Sequence, residues 1–99
     1  MAKSIIQTER ECWKCHNTQG LELHHIFYGS ANRKLSDEDG LVVFLCYDHH
    51  RGAQGVHNNN NKLNLELKQT AERAFLSHYD KTIDDFIKKY GRNYLEEPV

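Results

Sequence analysis

Apolar residues fall into four patterned stretches separated by polar connections. In Leu21-Glu22-Leu23-His24-His25-Ile26-Phe27, Leu21 and Leu23 alternate against Glu22, the period of a short strand that delivers a histidine pair at its end. Leu41-Val42-Val43-Phe44-Leu45 is a continuous β-prone run, and it predicts a second strand antiparallel to the first. The polar connection from Tyr28 to Gly40 reads as a loop holding one helical turn from Ser36. From Lys62 the period changes. Leu63, Leu67, Ala71, Ala74, Phe75 and His78 share one face of a helix running to Tyr79, with Asn61 as N-cap. Thr82-Ile83-Asp84-Asp85 resembles a capping box with Asp in place of Glu, and opens a second helix that buries Ile83, Phe86, Ile87 and Tyr90 and stops at Gly91. Between them, Gly52, Gly55 and the run Asn58 to Asn61 exclude a long helix but allow one or two turns around His50. Ser4-Ile5-Ile6-Gln7 reads as a strand or an ordered arm, and Arg92 to Val99 as a frayed tail.

Size changes this picture. A chain of 99 residues with 38% hydrophobic residues makes one domain with a modest core, the situation in which a metal staple is expected. The domain divides into a core over 11–57 and a helical support over 62–91, an α+β arrangement of two strands, a following short helix and two C-terminal helices. Three cysteines, an odd number, argue against a disulfide framework and for metal thiolates in a reducing, cytoplasmic setting. No stretch approaches the roughly 20 apolar residues of a membrane span. A formal net charge of -1 argues against a general DNA-coating role, though not against an enzyme whose metal supplies local positive charge.

The candidate chemistry lies in cysteines and histidines. Cys12-Trp13-Lys14-Cys15 and Cys46-Tyr47-Asp48-His49 are two x-x-spaced knuckles, a spacing that lets both side chains of a tight turn reach one ion. Together they predict a structural Zn2+ on Cys12, Cys15, Cys46 and His49; a redox pair at Cys12 and Cys15 is the competing reading. Because such a site closes only in the folded chain, its binding energy is folding energy. His16 echoes His50 in following a knuckle and reads as a surface residue or alternative ligand. His24, His25, His50 and His57 remain. Neighbours on a strand point to opposite sides, so His24 and His25 cannot serve one ion from a regular strand. One of them holding a metal while the other takes a proton from water would suit phosphodiester hydrolysis.

The order of knuckle, His-His strand end, second strand and C-x-x-H followed at once by His resembles the HNH endonucleases of the ββα-metal fold, in particular small, zinc-knuckle-containing, prophage-type members. The resemblance covers Glu11 to His57. It implies that His24 and His50 bind the catalytic ion, that His25 is the general base, and that the substrate is DNA. It departs from the family in two places. The family's central Asn position is occupied by Leu41, and the last-ligand position, one helical turn after His50, by Gln54. His57 is the nearest candidate for that ligand if the Gly-containing segment folds back, with Asn58 a weaker one. The ion is Mg2+, Mn2+, Ni2+ or Zn2+, imidazole ligands favouring the last three. Arg33, Lys34 and Arg51, with Lys62, flank the site as candidate phosphate contacts. Trp13 is expected to pack over the first knuckle, Tyr28 and Tyr47 to lie in the core or its rim, and His78 to serve the helix dipole or the core. The alternative is a non-catalytic, zinc-stabilised nucleic-acid or protein-binding module, or a degenerate nuclease. DNA is the expected partner and a membrane is not; the sequence leaves a recruiting protein and the oligomeric state open.

Overall fold

The computed structural model describes residues 4–29 and 31–95. Its elements run β1 (Leu21–His25), α1 (Asn32–Asp39), β2 (Val42–Cys46), α2 (Tyr47–His50), α3 (Asn61–Tyr79) and α4 (Ile83–Tyr90), an α+β architecture around one two-stranded sheet. The strands are antiparallel, with Leu21 opposite Cys46 and His25 opposite Val42. This register brings the second knuckle to the start of β1 and the histidine pair to its end.

The free edge of β2 is covered. Ile5 N–H donates to the Gly40 carbonyl at 3.0 Å, and Ser4 Oγ donates to the Val42 carbonyl at 2.6 Å. Phe44 N–H donates to Gln7 Oε1 at 2.8 Å while its carbonyl accepts from Trp13 N–H, also at 2.8 Å. The N-terminal stretch is thus an ordered arm, not a strand. It satisfies edge groups that would otherwise pair with another chain.

β1 ends because its partner changes. After Ile26 N–H donates to the Leu41 carbonyl, the buried Ser36 hydroxyl takes over: it accepts from Phe27 N–H at 3.0 Å and donates to the Phe27 carbonyl at 2.8 Å. Ser36 belongs to a helix of two turns rather than the single turn expected, and that helix begins at Asn32. Leu35 is its only large apolar residue, so no periodic signal marks it. Tertiary bonds hold it instead: Asp39 accepts from the Tyr90 hydroxyl at 2.7 Å and from Lys89 Nζ at 2.9 Å. Gly40 closes α1 in the left-handed conformation, with φ 74°.

The helical support follows expectation with local corrections. The N-cap of α3 is Asn60, whose side chain accepts from Leu63 N–H at 3.1 Å, one residue before the expected Asn61. Leu63, Leu67, Ala71 and Phe75 are buried, Ala74 is partly so, and His78 is exposed in the last turn. Thr82 and Asp85 form both bonds of the capping box, and Gly91 ends α4 at φ 98°. Phe86 and Tyr90 are buried, but Ile83 and Ile87 are exposed, because α4 turns a narrow aromatic face inward. On that face Phe27 meets Phe86 at 5.4 Å and Tyr90 at 4.8 Å between ring centroids. The tail is docked as far as 95: Tyr94 packs on Phe27, and its N–H donates to the buried Glu72 at 2.7 Å. The remainder of the expected frayed tail, 96–99, lies outside the described residues. Among the described residues no helix is long and apolar enough to cross a membrane.

Candidate metal centres

Two clusters of ligand side chains form where the hairpin meets α2. Cys12, Cys15, Cys46 and His49 are one, and His24, His50 and His57 the other, each with its ligand atoms within 4.8 Å of one another. Both can hold a metal ion. The split follows from the short helix, since Cys46 caps α2 and its successive residues project in different directions.

The cysteine cluster has the dimensions of a tetrahedral site. With metal–sulfur bonds of about 2.3 Å, a tetrahedron sets two sulfurs about 3.8 Å apart. Cys15 Sγ and Cys46 Sγ are 3.8 Å apart, and His49 Nδ1 lies 3.3 Å from Cys46 Sγ and 3.8 Å from Cys12 Sγ. All three cysteines are free thiols. Burial acts to raise the Cys12 thiol, but backbone hydrogen bonds at Cys46, Cys15 and Lys14 outweigh it, and the group sits below its ordinary value. Burial pushes Cys46 up. Trp13, next to Cys12 in the chain, is half-buried against the hydrophobic core. His16 is not part of it: exposed, it pairs with Glu11.

The histidine cluster is graded from inside to outside. His24 is fully buried, His50 intermediate and His57 exposed. Their ring centroids stand 5.2 Å apart for His24 and His50, 5.2 Å for His24 and His57, and 4.8 Å for His50 and His57. Nε2 of His24 is buried and has no hydrogen-bond partner. An orphaned acceptor at that depth is costly unless something fills it, and an ion shared with His50 and His57 fits. Burial, then the neighbouring His50, His57, His25 and Lys68, push the His24 pKa down to about 3. Burial and His50 also lower His57. Both shifts favour the neutral ring, the form that ligates metals.

His57 reaches the cluster because the glycine segment folds back. Val56 N–H donates to the His49 carbonyl at 2.9 Å and His57 N–H to the His50 carbonyl at 3.0 Å. A Cβ on Gly55 would lie 2.7 Å from the His50 carbonyl oxygen, and one on Gly52 would lie 2.7 Å from Asp48 Cα, so only glycine fits. Gln54 and Asn58 serve this fold locally, Gln54 O accepting from Asn60 and Asn58 Nδ2 donating to Gly52 O. Neither belongs to the cluster. Leu41, at the position where the resembled family carries asparagine, is buried in the core, and the Ser36 hydroxyl ties the end of β1 to α1.

His25 faces the other way, as strand alternation requires. Its Nε2 lies 3.2 Å from Asp37 Oδ1, in a cleft of about 550 Å³ lined by Leu23, His25, Arg33, Lys34 and Asp37. Arg51, exposed, is paired with Glu22. It donates through Nε to Glu22 Oε1 at 3.1 Å and through Nη2 to Oε2, while His50 Nδ1 donates to Oε1 at 2.8 Å. Those hydrogen bonds, from Arg51 first and His50 second, hold the Glu22 carboxyl below its usual range. Lys62 lines a separate cleft with Lys14, Asn60 and Glu66. Tyr28 and Tyr47 are on the rim, and Tyr28 stacks edge-on to His57 at 5.1 Å.

The seven residues of the two clusters are all among the candidates read from the sequence, His57 as the displaced one. The sequence did not point to Glu22, Asp37 or Ser36, whose roles come from partners distant in sequence. Comparison with protein families, curated proteins and solved structures finds no match to this chain.

Proposed function

We propose that this chain is a metal-dependent, HNH-type endonuclease that hydrolyses DNA phosphodiester bonds. The observation that carries the reading is the contrast between the two clusters. A set of four ligands closes a tetrahedral site and suits a structural zinc, whereas a set of three, opening to solvent at His57, leaves coordination positions for water and substrate. His24, His50 and His57 would hold a divalent ion, which would supply positive charge to the phosphate and the departing oxygen.

The rest is done by side chains of the chain itself. His50, bonded to Glu22 through Nδ1, presents Nε2 to the cluster. His25 is the general base: the scissile phosphate would lie across the end of β1, with the ion on one side and His25 on the other. With Nε2–H donated to Asp37 the basic nitrogen is Nδ1, which takes the proton of the attacking water while the Asp37 carboxylate stabilises the resulting imidazolium. Arg33 and Lys34 line the same cleft and contact backbone phosphates. The free thiols fit work in a reducing compartment.

Incubation of the protein with supercoiled plasmid and Mn2+, Ni2+ or Mg2+ tests this, with His25→Ala alongside. Cleavage by the wild type and its loss in the variant are expected. Equal nicking by both proteins would overturn His25 as base. Duplex binding without cleavage under any of these ions would favour the zinc-stabilised binding module instead.

A further inference from the structure

The mechanism above leaves one charged group near the histidine cluster unused. Lys68, on α3, is partly buried, with its ammonium 5.2 Å from the centre of the Tyr28 ring and 5.3 Å from that of Tyr94. Among the described residues no carboxylate pairs with it, although Lys14, Arg51 and Lys89 are all paired. Two aromatic faces therefore hold a cation in place without neutralising it. Tyr28 is the link to the cluster. Its ring stands 5.1 Å from His57 and 6.0 Å from His24, and it is exposed on its outer side. Asn64 Nδ2 donates to the Tyr28 hydroxyl oxygen at 3.3 Å, which leaves the phenolic proton free for an acceptor.

Placing a second cation beside three ligands that would hold a dication is unfavourable unless an anion lies between them. Arg33 and Lys34, also without a carboxylate partner among the described residues, line the His25 cleft instead, and Arg92 lies over the Tyr94 ring at 4.9 Å.

We propose that Lys68 and the Tyr28 hydroxyl form a phosphate-binding subsite that seats a backbone phosphate of the nucleic-acid substrate against the histidine cluster. The proposal rests on the nuclease reading, and it assigns α3 a part in substrate binding as well as support. Lys68 donates to the phosphate oxygens as a fixed point charge, and Tyr28 adds one directed hydrogen bond.

Equilibrium binding of a fluorescein-labelled DNA duplex, measured by anisotropy over a series of salt concentrations, tests it. All proteins carry His25→Ala so that the duplex stays intact, and all are metal-loaded. Adding Lys68→Met, which keeps the packed stem, is expected to weaken binding about tenfold at low salt and to make the salt slope shallower by about 0.9. Adding Lys68→Arg should restore both, and Tyr28→Phe should weaken binding a few-fold. Lys88→Met, on α4, should change neither affinity nor slope. Metal content and melting temperature are read on every variant and should be unaltered. If the parent binds duplex and Lys68→Met matches it in affinity and slope, the subsite is wrong and the nuclease reading stands. A fall equal to that of Lys88→Met, or one accompanied by metal loss, would also overturn the subsite. If the parent binds no duplex, the nuclease reading fails and the subsite fails with it.

Discussion

His50 Nδ1 lies 2.8 Å from Glu22 Oε1, and Arg51 holds the same carboxylate from its other side. The carboxylate fixes the tautomer and the angle of the ring, so that Nε2 is the nitrogen left for a metal. Glu22→Ala should therefore weaken divalent-ion binding at the histidine cluster about 10- to 100-fold while the cysteine cluster keeps its ion. Calorimetric titration with Mn2+ into zinc-loaded protein reads this. An unchanged affinity would mean that the carboxylate only neutralises Arg51.

His57 depends on glycine in a similar way. Gly55→Ala puts a methyl group against the His50 carbonyl, where backbone cannot yield as a side chain can. The expected cost is about 1–3 kcal/mol in stability, with weaker Mn2+ binding because His57 is displaced. Denaturant unfolding and the same titration measure the two effects. Wild-type Mn2+ affinity in Gly55→Ala would indicate that His57 is dispensable.

The two clusters should separate on mutation. Cys46→Ser removes a ligand from the buried four-membered site and should leave the chain unfolded, since the ion closes a small core. His50→Ala should stay folded with one zinc per chain. Circular dichroism with metal analysis decides it, and a folded, thermally stable Cys46→Ser protein would contradict the structural role.

Stability should also fall at high pH for a reason remote from the metals. Burial, and then the Asp39 carboxylate that accepts its proton, raise the Tyr90 hydroxyl above its ordinary value of 10.0. A group raised on folding contributes stability fully below its unfolded pKa. That stability is lost as pH climbs above about 10 toward the folded value. Tyr90→Phe should be less stable at pH 7 by about 1 kcal/mol, and its melting temperature should fall less steeply above pH 10. Parallel alkaline melting curves for the two proteins would rule this out.

Much of this structure could be read from residue patterns. β1 and β2 announce themselves by alternation and by a β-prone run, and α4 by its capping box, because each is set by local chemistry or by a repeating apolar face. α1 could not be read, since Leu35 alone marks a face and the helix is held by Ser36 and Asp39 through bonds to Phe27, Lys89 and Tyr90. Ile83 and Ile87 were expected inside because apolar residues usually are, but the aromatic face of α4 already filled the space available. The two Cys/His clusters were partly legible, because the x-x spacing of Cys12 with Cys15 and of Cys46 with His49 is what one shared ion would demand. Glu22, Asp37 and Lys68 were not, because a charged residue on a strand or helix is ordinarily solvated, and only the fold brings each to its partner.

We expect His49 and His50, adjacent in the chain, to serve different ions. A crystal structure of the metal-loaded protein, with anomalous scattering collected at the zinc and manganese edges, tests it most directly. Two ions are predicted: zinc on Cys12, Cys15, Cys46 and His49, and a second ion on His24, His50 and His57. A single ion, or one bound by both His49 and His50, would contradict the account.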